Sequence, residues 1–175
     1  MDDSSDLWKF IKVPWSYEAT TNAIILDEIV PSSTSWWFIG MSEINGIENL
    51  NTSNVTKMQA MFYDCELQEL NLSNFDTSNV TDMSSMFSAC DALQKLDVSN
   101  FDTSNVTDLS NMFYYCFQLP ELDLSNFDTS KVMDMSEMFF GCTALKKVYV
   151  SNKWKEPEGQ EIFGGTCPIN SETVI

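Results

Sequence analysis

A chain of 175 residues, 43% hydrophobic and 13% aromatic, is long enough for one compact core, too short for two, and too apolar for a disordered tail. Its 26 acidic residues face nine lysines and no arginine, giving a formal charge of -17 that repels nucleic acid and anionic membrane and leaves basic or neutral partners and cations. With no histidine, the chain lacks the commonest general base and half of the ordinary zinc ligand set, so a non-enzymatic protein is expected.

The start, Met1 to Asp6, is acidic where a secretory leader would be basic, and no apolar run approaches the roughly 20 residues of a membrane helix. No membrane insertion is expected. Trp8 to Val13 and Ala23 to Leu26 read as two strands joined through the polar stretch Glu18 to Asn22, which predicts a β-hairpin cap over residues 1–31. Trp37-Phe38 then occupies the Met-Phe slot one step before Met61-Phe62, so a degenerate first coil begins near Ser32.

From there a repeat dominates. Cys65, Cys90, Cys116, Cys142 and Cys167 recur every 25 or 26 residues, and Met61-Phe62, Met86-Phe87, Met112-Phe113 and Met138-Phe139 keep the same step. Such a period marks units that bury their apolar faces only against one another. Leu70 to Leu72, Leu96 to Val98, Leu122 to Leu124 and Val148 to Val150 alternate apolar and polar, which predicts short parallel strands. Ser-Asn-Phe-Asp-Thr-Ser turns follow at Ser73, Ser99 and Ser125, with Phe75, Phe101 and Phe127 pointing inward. Val80, Met83, Phe87 and Cys90 are spaced three, four and three apart, which predicts a short helix capped by Ser78 or Asn79, with Asp82 near its positive end. Residues 32–150 thus form the repeat region, with coils ending near Phe38, Cys65, Cys90, Cys116 and Cys142. Residues 151–175, where Ile162 to Cys167 echoes a coil ending, form a degenerate last coil and cap.

The stretch Leu96 to Phe113, Leu-Asp-Val-Ser-Asn-Phe-Asp-Thr-Ser-Asn-Val-Thr-Asp-Leu-Ser-Asn-Met-Phe, resembles the bacterial surface-protein repeat of the BspA-like leucine-rich group, and the likeness runs from Ile44 to Cys142. The resemblance implies a right-handed leucine-rich-repeat-like α/β solenoid, here of about five coils. It also implies secretion or display at the cell surface, and adhesion or protein binding, with a host or cell-surface protein as partner. It brings no catalytic residues. The usual pattern sets Asn or Cys three residues after the second strand leucine; here Phe75, Phe101 and Phe127 hold that slot, and Asn74, Asn100 and Asn126 stand one residue earlier.

Five thiols make an odd number, and without C-x-x-C spacing they read as buried free cysteines. The methionine column at Met58, Met61, Met83, Met86, Met112, Met135 and Met138 reads as core. Asp76, Asp102 and Asp128 read as turn formers, and Asp82, Asp108 and Asp134 as helix starts. Asp97 and Asp123, on the outward strand face beside Tyr149, are the candidates for a bound cation such as calcium or for a partner's lysine. The neighbouring column Glu69, Lys95, Glu121, Lys147 alternates in sign, as paired strands prefer. Sequons at Asn51, Asn54, Asn71, Asn79 and Asn105 read as caps where they recur in register.

Function is expected where the copies differ. Tyr114, Tyr115, Phe117 and Phe140 gather on adjacent coils and, with Asp97, Asp123 and Tyr149, form the candidate partner-binding surface. The favoured reading is a surface-displayed protein-binding or adhesion module without a cofactor. The alternatives are an intracellular acidic interaction or inhibitor protein and a calcium-stabilised stalk segment.

Overall fold

The computed structural model describes residues 22–25 and 29–170. The strand expected over Trp8 to Val13 lies outside them. Among the described residues six short strands occur: β1 (Asn22–Ile24), β2 (Glu43–Asn45), β3 (Glu69–Leu70), β4 (Lys95–Leu96), β5 (Glu121–Asp123) and β6 (Lys147–Tyr149). They pair as three separate two-stranded parallel sheets, β1 with β2, β3 with β4 and β5 with β6. Among the described residues the helical content is a single 3-10 turn at Ile47–Asn49.

These findings overturn the expected α/β solenoid. No α-helix occupies the Val80 to Cys90 stretch or its equivalents, and the strands do not join into one sheet. The backbone shows why the helix fails. Ser85 and Ala89 have φ of 56° and 59°, and the pairs Ala60 and Asp64, Asn111 and Tyr115, and Glu137 and Gly141 repeat this left-handed geometry. Left-handed residues four apart interrupt any right-handed helix, at about 1–2 kcal/mol for each that is not glycine.

Hydrogen bonds offset that strain. Met83, Ser85, Phe87 and Ala89 donate to the carbonyls of Asp108, Ser110, Met112 and Tyr114 in the next repeat, while Met86, Ser88 and Cys90 donate three residues back to Met83, Ser85 and Phe87. Successive amides therefore alternate between a local turn and the neighbouring repeat, a period of two rather than 3.6. The three-four-three spacing marks burial, since Val80, Met83, Phe87 and Cys90 are all inside, but not a helix. Without a helix there is no cap at Ser78 or Asn79; the Asn79 and Asn105 amides instead donate to the Ser53 and Ser78 carbonyls of the preceding repeat.

The break between β4 and β5 has a cause in the sequence. Gln94 donates to the Gln68 carbonyl, and Lys146 to that of Pro120. Pro120 stands in the slot that would donate to Gln94, and proline has no amide hydrogen. Within the pairs that do form, Glu69 lies opposite Lys95, and Glu121 opposite Lys147.

The core is built in columns. Phe38, Phe62, Phe87, Phe113, Phe139 and Phe163 stack ring on ring at centroid separations of 5.1–5.7 Å. All seven methionines of the expected core column are fully buried beside them. Thr52, Thr77 and Thr103 each donate a hydroxyl to the carbonyl of Asp76, Asp102 or Asp128 one repeat on, and accept the amide of the same residue. Asn100 and Asn126 donate to pairs of carbonyls in the preceding repeat, as Asn74 does to three. An asparagine ladder thus exists, carried one residue before its usual slot. At the C-terminal end the Gln160 side chain accepts the Met135 amide and donates to the Met133 carbonyl, replacing backbone that the irregular stretch before it does not supply.

Candidate partner-binding face

Most polar columns are occupied by the repeat itself. Asp76 and Asp82 each accept the amide and hydroxyl of the serine two residues on, as do Asp108 and Asp134. Asp102 and Asp128 accept the amides of Ser104 and Ser130. The strand column carries the same bond: Asp97 accepts from Ser99 and Asp123 from Ser125, each at 3.0 Å. These serine bonds hold the carboxyls of Asp76, Asp97, Asp102, Asp123 and Asp128 below their ordinary range. Asp97 and Asp123 are exposed, and Tyr149 is half-buried opposite Asp123. Among the described residues no group of three or more His, Cys, Asp or Glu side chains converges to hold a metal ion.

The thiols are also engaged. Cys65, Cys90, Cys116 and Cys142 are buried and free, and each Sγ donates to the carbonyl of a column phenylalanine one repeat earlier, at 2.8–3.2 Å. Burial pushes the Cys142 thiol up to about 12 and raises Cys116. Such thiols are poor nucleophiles and poor metal ligands.

The aromatic residues are different. Tyr114 stacks on Phe140 at 5.3 Å, Tyr115 on Phe117 at 5.1 Å, and Tyr115 meets Phe140 edge-on at 5.7 Å. Tyr115 remains 36% exposed and Phe117 41%. The rings lean across repeats. A Cβ on Gly141 would collide with the Tyr115 ring, and one on Gly164 or Gly165 would press on Phe140. Glycine at 141 also suits its φ of 74°. The hydrogen bond with Tyr115 raises the Tyr114 phenol above its ordinary range, helped by the nearby Tyr115, Glu137 and Tyr63.

Two further aromatics belong to this face and were not among the expected contacts. Tyr63 occupies the Tyr114 slot two repeats earlier, and Trp36 lies against it at 6.2 Å; both are more than a third exposed. The signal was present in the aligned copies, where the slot after Met-Phe reads Tyr63, Ser88, Tyr114 and Phe140. Between the two aromatic groups the same slots hold the buried Ser88 and the half-buried Ala89.

A family model described as "Mycoplasma protein of unknown function, DUF285" matches residues 32–154. The chain belongs to the DUF285 family. This corrects the expected membership of the BspA-like leucine-rich group, and DUF285 carries no assigned activity to transfer. Comparison with curated proteins and with solved structures gave no match. The DUF285 match begins where the first coil was expected and ends just past β6, so it spans both the aromatic face and the strand face. Among the described residues no helix is long and apolar enough to cross a membrane.

Proposed function

We propose that the chain is a non-enzymatic protein-binding module whose partner docks on the face formed by Tyr114, Tyr115, Phe117 and Phe140. The observation that carries this reading is the gathering of partly exposed rings at the slots where the repeats differ. Every invariant column has an internal partner, whether turn amide, carbonyl or ring. The aromatic slots do not share that role, because Ser88 and Ala89 fill two of them and the ladder continues unchanged. Clustered exposed aromatics supply large contact area at small entropic loss, which is why they anchor interfaces. Asp97, Asp123 and Tyr149, expected as further contacts, form no part of the proposed face, because both carboxylates already accept serine bonds. Surface display, which rested on the resemblance that DUF285 replaces, forms no part of the proposal.

Replacing Tyr114, Tyr115 and Phe117 together by Ala should abolish partner capture while leaving the thermal midpoint nearly unchanged. Capture that persists, or a variant that no longer folds, would reject the assignment.

A further inference from the structure

The aromatic face has an uneven charge. In the four repeats the equivalent segments around it, residues 58–67, 83–93, 109–119 and 135–145, contain Asp64, Glu66, Asp91 and Glu137 and no lysine. All four acids are exposed. The lysines of the repeat region lie outside these segments: Lys95 in β4, Lys147 in β6 with Lys146 just before it, Lys131 on a turn, and Lys57 in a β-bridge opposite Asp82, just before the first segment. Among the described residues Lys131 bonds Asn105, and Lys153 pairs with Asp128 at 3.6 Å. The rings are thus bordered by uncompensated carboxylates, and none of the chain's own cations lies among them in sequence.

The rings also form one stripe. Tyr63 and Tyr114 stand two repeats apart, on the order of 10 Å at strand spacing. Backbone bonds join them rung by rung, Asp64 donating to the Ser88 carbonyl and Ala89 to the Tyr114 carbonyl, so that only Ser88 and Ala89 stand between Tyr63 and Tyr114 in these slots. A stripe with aromatic rings at both ends, small side chains between them and acidic residues in the same segments matches an extended polypeptide that presents cationic side chains. Guanidinium groups stack on aromatic faces and gain from a nearby carboxylate.

We infer that the occupant of this face is an arginine-bearing basic segment of the partner protein, lying across the repeats from Trp36 and Tyr63 to Tyr115 and Phe140. The inference rests on the docking reading above and names the partner's chemistry. Carboxylates at the rim set the rate and salt dependence of capture, and the rings hold the captured segment.

The test is a fluorescence titration of the full chain with a labelled nona-arginine peptide, with a neutral Gly-Ser nonapeptide beside it. The arginine peptide should bind, weaken as salt rises, and outbind the neutral one. Tyr63→Leu with Tyr114→Leu keeps the charge and should weaken binding about fivefold or more. Asp91→Asn with Glu137→Gln should weaken it, while Asp97→Asn with Asp123→Asn, an equal change of charge on the strand face, should not. Equal losses from the two charge variants would overturn the inference, because the diffuse field of the chain would then suffice. So would equal binding of the neutral peptide, which still leaves the aromatic docking reading standing. Undiminished partner capture by the Tyr114, Tyr115 and Phe117 variant would instead sink that reading.

Discussion

The Thr103 hydroxyl shows how each repeat is joined to the next. It is fully buried, donates to the Asp128 carbonyl at 3.1 Å and accepts the Asp128 amide at 2.8 Å. Thr103→Val keeps the volume and strands both backbone groups, so it should lower unfolding free energy by about 1–3 kcal/mol. Thr103→Ser keeps both bonds and loses one methyl, about 0.8 kcal/mol. Urea unfolding that ranks the serine variant below the valine one would contradict this account. The turn carboxylates make a second prediction at this scale. Their folded values are depressed, so the stability they contribute is present above the unfolded value near 4 and is lost as pH falls through the folded values. Asp97→Asn with Asp123→Asn preserves the turn, as Asn71 does natively with Ser73, and removes both titrating groups. Between about pH 5 and pH 2 the thermal midpoint of this variant should fall less than that of the wild type. Equal falls would mean that these bonds contribute nothing.

At the scale of the element, Pro120 divides a ladder that could be continuous. Gln68, Gln94 and Lys146 hold the equivalent slot, so Pro120→Gln should supply the missing donor to the Gln94 carbonyl and join β4 to β5. The gain of one hydrogen bond, about 1 kcal/mol, is largely offset by the lost rigidity of proline in the unfolded chain. Hydrogen exchange is therefore the readout: a protected amide at residue 120 is expected, and fast exchange there would refute the explanation. Period-two alternation located the strands only approximately: they begin one residue earlier than expected, and Glu69–Leu70 and Lys95–Leu96 share a single residue with the expected Leu70 to Leu72 and Leu96 to Val98. The helix was misread because a three-four-three apolar stripe records which side chains face inward, and a run of left-handed turns buries the same ones. Nothing about Ser85, Ala89 or Tyr115 as residue types announces positive φ, so that geometry became visible only in the backbone. Asn74, Asn100 and Asn126 show the converse, since a ladder shifted by one residue still finds its carbonyls.

Across the whole molecule, the charge of -17 divides into parts with different work. The aspartate columns are tied to serines in their own turns, Glu69 and Glu121 lie opposite lysines, and Asp64, Glu66, Asp91 and Glu137 border the aromatic stripe without a lysine among them. The stripe was partly legible in sequence: four of its aromatics stand out on adjacent repeats and Tyr63 shares a slot with Tyr114 and Phe140, whereas Trp36 joined it only through its ring contact with Tyr63. The glycines at 141, 164 and 165, on which the rings lie, carried no such meaning until the packing was seen. Hydroxyl-radical footprinting of the chain with and without its captured partner tests the central claim most directly. Protection concentrated at Trp36, Tyr63, Tyr114, Tyr115, Phe117 and Phe140, with Tyr149 unchanged, is the predicted result; protection centred on Tyr149 and the strand face, with the aromatic stripe still reactive, would contradict it.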